Sequence, residues 1–199
     1  MTPTSGQSSF PKGQKKTDAL LIESERLIIR NLQVNDLKNF LNYRTDPEVC
    51  RYQDWEVLND EFARNFIDEQ QHKSLDDLDE WIQLGIELKS EKQLIGDCAI
   101  KRHDRNGSIV EIGYAISPAY QRRGYAHEAV NQLIRHLFTE HGVHRITARL
   151  DPRNESSLAL LNRLNFTQEG HFRKCFYDEF DKDWVDEIMF ALLKEDYPI

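Results

Sequence analysis

Two hydrophobic periods alternate along the chain and divide it into elements. Leu27-Ile28-Ile29 closes an N-terminal strand at Arg30. Asn35 is placed to cap a helix whose inner face carries Leu37, Phe40 and Leu41. A second helix is expected from Asn59 to about His72, with Phe62, Phe66 and Ile67 at helical spacing. Three strands follow as a meander: Trp81 to Leu88, Gln93 to Ile100 and Ser108 to Ile116. The last two flank Arg105-Asn106-Gly107, whose Asn-Gly pair signals a tight turn. The best-patterned segment comes next. Ala126, Ala129, Val130, Leu133, Ile134, Leu137 and Phe138 recur at steps of three and four, and Gly142 stands where a helix stop belongs.

Residues 1–17 are Ser, Thr, Pro, Gly, Gln and Lys around a single Phe10, too polar to offset the entropy of ordering. They read as a flexible tail, and residues 18–199 as a single domain without internal repeats. A chain of 199 residues has room for one well-buried core. Its net charge of −8 argues against a nucleic-acid partner, which calls for a basic face. The longest apolar runs, such as Met189 to Leu193, fall far short of the ~20 residues that span a bilayer. The first residues also lack the apolar stretch of a secretion signal, so the expectation is a cytoplasmic protein with no membrane partner.

Cys50, Cys98 and Cys175 form no C-x-x-C pair and read as reduced thiols. The seven histidines follow no metal-ligand spacing, so no metal is expected. The run Asp76-Asp77-Leu78-Asp79-Glu80 reads as a solvated loop.

Candidate chemistry lies where the third meander strand meets the patterned helix. Gln121-Arg122-Arg123-Gly124-Tyr125-Ala126 joins them. The first amides of a helix have no internal partners and carry the positive end of its dipole. Small residues at Gly124 and Ala126 would let an anion, most naturally a phosphate, approach that backbone, with Arg122 and Arg123 at its edge. The plain alternative is an ordinary strand-to-helix turn with two exposed arginines.

The string Gln-x-x-Gly-x-Ala resembles the acetyl-CoA-binding signature of the GNAT superfamily of N-acetyltransferases. The resemblance runs from about Ile22 to Asp196. It takes in Glu25-Arg26-Leu27-Ile28-Ile29-Arg30, Asp46-Pro47-Glu48-Val49 and Glu111-Ile112-Gly113-Tyr114. It continues through Asp151-Pro152-Arg153-Asn154-Glu155-Ser156-Ser157, Leu164-Asn165-Phe166 and Glu169-Gly170. The combination is most similar to the RimJ/RimL-like branch, which acetylates protein N-termini.

The resemblance implies an α+β fold in three α/β/α layers around a mixed, mostly antiparallel sheet. Its fourth and fifth strands, here Ser108 to Ile116 and His144 to Leu150, would splay apart to admit acetyl-CoA. The cosubstrate would meet Ile116, Gln121, Arg122, Arg123, Gly124, Tyr125, Ala126, Asn154 and Ser157. The acceptor is an amine, either a peptide N-terminus or a small amine, and the protein would work as a monomer or homodimer.

Amine acetylation needs a neutral amine, oxyanion donors and a donor to the leaving thiolate. Strand alternation puts Val110, Ile112, Tyr114 and Ile116 on one face, and Glu111 with Gly113 and Ala115 on the other. Glu111 is therefore the candidate base, acting directly or through water; a solvated strand glutamate, or no protein base at all, is the competing reading. The resemblance places the oxyanion donors among main-chain amides near Ile116. Asn154 suits an N-cap bonding the amide of Ser157 and, by resemblance, a position beside the pantetheine arm. Ser157 matches the serine proposed to donate to the CoA sulfur, and a first-turn helix serine is its plain reading.

Two departures stand out. Leu161 occupies the place of the family's tyrosine acid, leaving Ser157 or water to serve. Asn165 stands where relatives often have glycine, which its tolerance of left-handed geometry accommodates. The acidic segment from Asp178 to Glu187 would favour a cationic acceptor, and Tyr52, Trp55, Tyr177 and Trp184 could line its site or simply pack. Three activities follow: acetylation of a protein or peptide α-amine, acetylation of a polyamine, amino sugar or antibiotic, and acyl-CoA sensing without turnover.

Overall fold

A computed structural model describes residues 20–198 apart from 54, 56–58, 76 and 104–107. The tail at 1–17 and the Arg105-Asn106-Gly107 turn lie outside the described residues. The strands are β1 (Leu21–Glu23), β2 (Leu27–Asn31), β3 (Trp81–Leu88), β4 (Gln93–Arg102), β5 (Ile109–Ile116), β6 (Arg145–Leu150), β7 (Thr167–Asp178) and β8 (Asp183–Leu193). The helices are α1 (Leu37–Arg44), α2 (Pro47–Cys50), α3 (Asp60–Gln71), α4 (Tyr125–Glu140) and α5 (Glu155–Arg163).

The strands form one sheet in the order β1-β2-β3-β4-β5-β6-β8-β7. Every neighbouring pair is antiparallel except β5 and β6. The two sides of β5 feed different cores. Val110, Ile112 and Ile116 pack with the stripe Ala129, Val130, Leu133, Ile134, Leu137 and Phe138 of α4. Ala115 packs with Leu32, just past β2, with Phe40 and Tyr43 of α1, and with Ala63 and Ile67 of α3. Helices thus cover both faces of the sheet, in the three-layer α+β arrangement expected.

The meander strands and α4 lie within two residues of their predicted bounds, and Gly142 adopts the left-handed φ of +63° just after α4. The splayed strands are fifth and sixth in chain order, because the short strand β1 precedes those read from the sequence.

Two expectations are corrected. Asn35 does not cap α1; it lies exposed inside a 3-10 turn, Val34–Asp36, and α1 starts at Leu37. The Asp36 carboxylate accepts from Gln33 N (2.8 Å) and from the two terminal nitrogens of Arg30, Nη1 and Nη2 (2.7 and 2.9 Å), which fixes the entry one residue later. Phe62 is 50% exposed, because the inner face of α3 runs through Ala63, Ile67 and Gln70 instead. Asn59 does cap α3, accepting from Phe62 N at 2.8 Å.

Candidate active site

β5 and β6 stay together only from Ile109, Val110 and Glu111 to Arg145, Ile146 and Thr147. Beyond that seam β5 continues along β4 as far as the Gly96–Ile116 pair, while β6 runs on with β8. Ser117 N donates to Ile95 O (2.8 Å), so the 96–116 pair is one whose own amides face away from each other. Beyond the seam, the amides of Tyr114 and Ile116 therefore face the gap. Gly96 permits this close pairing, since a Cβ there would stand 2.3 Å from Ala115 O. The open edge of β5 can hydrogen-bond an extended chain lying in the gap, and Ile116 supplies an amide at its end.

Past Ile116 the chain makes a 3-10 turn, Pro118–Tyr120. Gln121 Nε2 donates to Ile116 O (2.9 Å), tying the turn to the strand. Arg122 and Gly124 both take left-handed φ, +60° and +82°, and Gly124 N-caps α4. Space does not demand glycine at 124, because an added Cβ would meet only Arg26 Nη2 at 3.5 Å; the backbone conformation does. Arg122, Arg123 and Gly124 are exposed, and Tyr125 and Ala126 are half-buried against the core under α4.

Arg26 braces this turn. Its Nη1 donates to Arg123 O (3.2 Å), its Nε to Glu128 (2.6 Å), and its guanidinium lies over the Tyr125 ring at 4.5 Å. Burial would raise the Glu128 carboxyl, but hydrogen bonds from Arg26 and Ser24 outweigh it and hold the group below its ordinary value. A groove of about 410 Å³ runs from Gly124 and Arg26 past His127 and Asn131 to Arg163. Burial, then nearby Arg163, pushes the His127 imidazole down.

Asn154 caps α5, with its Oδ1 accepting from Ser157 N at 3.1 Å. Before it, Arg153 binds Asp151 (2.9 Å), Asp178 (2.8 Å) and Asp181, lashing the α5 entry to the tip of the β7–β8 hairpin. Ser157 is half-buried, and its hydroxyl lies near enough to the Tyr114 phenol to influence it. Burial pushes that phenol up to about 12, with Ser157 pulling the other way, so Tyr114 is protonated at neutral pH and keeps an O–H to donate. Leu161 packs into the core at 1% exposure. Asn165 has φ +62°, the left-handed geometry expected of it.

Glu111 lies on the opposite face, beside Gly113 and Ala115. Its Oε2 is 2.8 Å from His103 Nε2, Lys101 is its partner across β4, and Thr147 its partner on β6. A Cβ at Gly113 would meet only Ala99, at 3.6 Å, so there is room beside Glu111 at that position. Beneath it the buried Asp97 accepts from Tyr43, from Arg44 (3.0 and 3.1 Å) and from Gln83.

Of the aromatics considered for an acceptor site, Trp55 stacks on Arg44 at 3.7 Å and is packing, while Tyr52 lies near Arg51. Tyr177 and Trp184 touch edge-to-face on the exposed hairpin. Among the described residues no three potential metal ligands cluster.

The structure therefore brings the predicted residues into two groups. Ile116 and Gln121 to Ala126 stand at the mouth of the gap, and Asn154 with Ser157 at the start of α5, whereas Glu111 stands apart on the other face. Sequence reasoning missed His103, Tyr114 and the Asp97 cluster. A tyrosine on an aliphatic strand face, whose hydroxyl needs a partner, was the available signal for Tyr114.

Residues 26–167 match the family model described as an acetyltransferase (GNAT) domain. The chain is 33% identical over 175 residues to the uncharacterized N-acetyltransferase p20 of Bacillus licheniformis, covering 87% of this chain and 96% of that one. It is 27% identical to the ribosomal protein uS5-alanine N-acetyltransferase of Escherichia coli, covering 96% of each. The crystal structure of a GNAT-family acetyltransferase from Bacillus anthracis superimposes with a TM-score of 0.79 at 28% identity, over 88% of this chain and 99% of that one. With a split sheet, a left-handed glycine at the mouth of the split and these relatives, the chain belongs to the GNAT family of N-acetyltransferases, in its RimJ/RimL-like branch.

Proposed function

We propose that this N-acetyltransferase moves the acetyl group of acetyl-CoA to the α-amine of a protein or peptide N-terminus. The observation that carries the reading is the continuity of the unpaired β5 edge with the amides at Gly124. One chain of donors leads from the gap between β5 and β6 to the start of α4. The α4 amides, with Arg122 and Arg123 alongside, take the diphosphate. Amides of β5 hold the pantetheine arm, and the amide at Ile116 serves the carbonyl oxygen as negative charge develops on it. Asn154 keeps α5 and Ser157 facing the arm.

In the transfer, the amine nitrogen forms its bond to the acetyl carbon as the carbon–sulfur bond breaks. Glu111, directly or through one water, takes the proton the amine loses. The Ser157 hydroxyl donates to the departing thiolate, and Tyr114, kept protonated, donates in turn to the Ser157 oxygen. That arrangement fills the part left vacant by Leu161. The uS5-alanine relative, aligned along nearly the whole chain, supports an α-amine as acceptor.

The test is release of free thiol from acetyl-CoA with three acceptors: a short peptide beginning with alanine, spermidine and glucosamine. Release with the peptide alone is expected. Release with spermidine or glucosamine in its place moves the activity to small amines. Tight CoA binding without release from any acceptor leaves a sensor and overturns the enzymatic reading.

A further inference from the structure

Outside the residues the sequence picked out, one line of polar side chains ends on the candidate base. His103 closes β4's end, and its Nε2 lies 2.8 Å from Glu111 Oε2. On the other side of the ring, Nδ1 is 3.7 Å from Asp79 Oδ1. Side-chain exposure rises along the line, from 14% at Glu111 through 35% at His103 to 63% at Asp79.

The line is held by main chain at each station. His103 N donates to Ile109 O (3.1 Å), Asp79 N donates to Arg102 O (2.9 Å), and Leu78 bridges to Arg102. Asp79 takes φ +59°, a conformation that costs a non-glycine residue energy and persists only where its surroundings impose it. The strained turn delivers a carboxylate to the back of an imidazole whose front meets the base.

We propose that His103, oriented by Asp79, is a positioning residue that fixes the Glu111 carboxylate for the acetyl transfer. Two heteroatoms at this distance share one hydrogen, and Nε2–H donating to Oε2 supplies it. That bond occupies one carboxylate oxygen and leaves the other to receive the amine's proton. It also stops the side chain from turning to Lys101, its cross-strand neighbour, where a salt bridge would draw it away from the space beside Gly113. A charge-assisted hydrogen bond is strong enough to decide between those two orientations. The inference rests on the proposed role of Glu111 as base.

The test compares His103→Leu, His103→Gln and Glu111→Gln, each alone, and the double variant His103→Leu/Glu111→Gln. The readouts are thiol release with the alanine peptide, CoA affinity by calorimetry, and melting temperature. His103→Leu is expected to lower kcat on the order of tenfold, with CoA affinity and melting temperature unchanged. Glutamine, whose amide N–H reaches about as far as Nε2, should restore most of the rate. The double variant should be no slower than Glu111→Gln alone, because the histidine acts only through the carboxylate. Wild-type kcat in His103→Leu, or losses that multiply in the double variant, overturns the role of His103 and leaves Glu111 standing. A Glu111→Gln variant as fast as wild type removes the base and this inference together.

Discussion

Gly124→Ala separates two reasons for a glycine that most such positions confound. The residue sits at φ +82°, and an L-residue there costs about 1–2 kcal/mol. No collision adds to this, since the new Cβ would lie 3.5 Å from Arg26 Nη2, an ordinary contact. A loss of about 1–2 kcal/mol in a chain of this size lowers the melting temperature by roughly 2–8 °C, so the variant folds. Asparagine accepts left-handed geometry more readily, and Gly124→Asn should melt closer to wild type.

Affinity should order the variants differently. Strain is present with and without ligand and largely cancels in Kd, whereas any side chain at 124 stands over the amides an anion must reach. Both variants should therefore bind CoA at least about tenfold more weakly, or about 1.4 kcal/mol. Calorimetry on the free protein with CoA, beside thermal melts, reads both effects. Wild-type affinity in both variants would refute the amide cradle. Weak binding by alanine with normal binding by asparagine would show that only backbone conformation matters there.

Three further outcomes follow from the same geometry. Asp97→Ala strands the buried Arg44 guanidinium with Tyr43 and Gln83, which should cost about 3–5 kcal/mol in urea unfolding; a loss below 1 kcal/mol would mean the cluster carries no net pairing. Asn154→Ala removes the cap on Ser157 N and should lower stability by about 1 kcal/mol, with a weaker hold on CoA visible in the same calorimetry. Glu128 titrates below its ordinary value in the folded chain, so its contribution is complete above the usual carboxylate range and fades as pH falls through the folded value. The stability gap between wild type and Glu128→Gln should accordingly shrink on acidification, and a gap that widens would contradict the Arg26–Glu128 brace.

How far the sequence revealed this molecule depended on whether each element was held by its own neighbours. Helix α4 was legible because its apolar stripe is unbroken and buried along its length. The α5 cap was legible because Asn154 and Ser157 are three residues apart. The start of α1 was not, because Asp36 is committed to Arg30 on β2, a partner chosen by the fold. Gln70 took a core position on α3 by accepting from the main chain of Gln83, so the helix turned Phe62 outward. The β7–β8 hairpin escaped notice since most of β7 is exposed and no alternation marks it. In the site, the glycine turn was a local signal. His103 and Tyr114 acquire meaning only from partners on other elements, which no spacing rule reaches.

The short border between β5 and β6 has a mechanical consequence. Three residue pairs join one half-sheet, β1 to β5, to the other, β6 to β8 and β7. Val110 and Ile146 at that border are 1% and 0% exposed, so the halves cannot slide past each other without dragging core side chains. Both halves also rest on one buried core with α4, which includes Ile86 and Ile112 from the first and Ile188 and Phe190 from the second. The width of the split past Glu111 and Thr147 is therefore set by side-chain packing beneath the sheet and not by a backbone ladder across it.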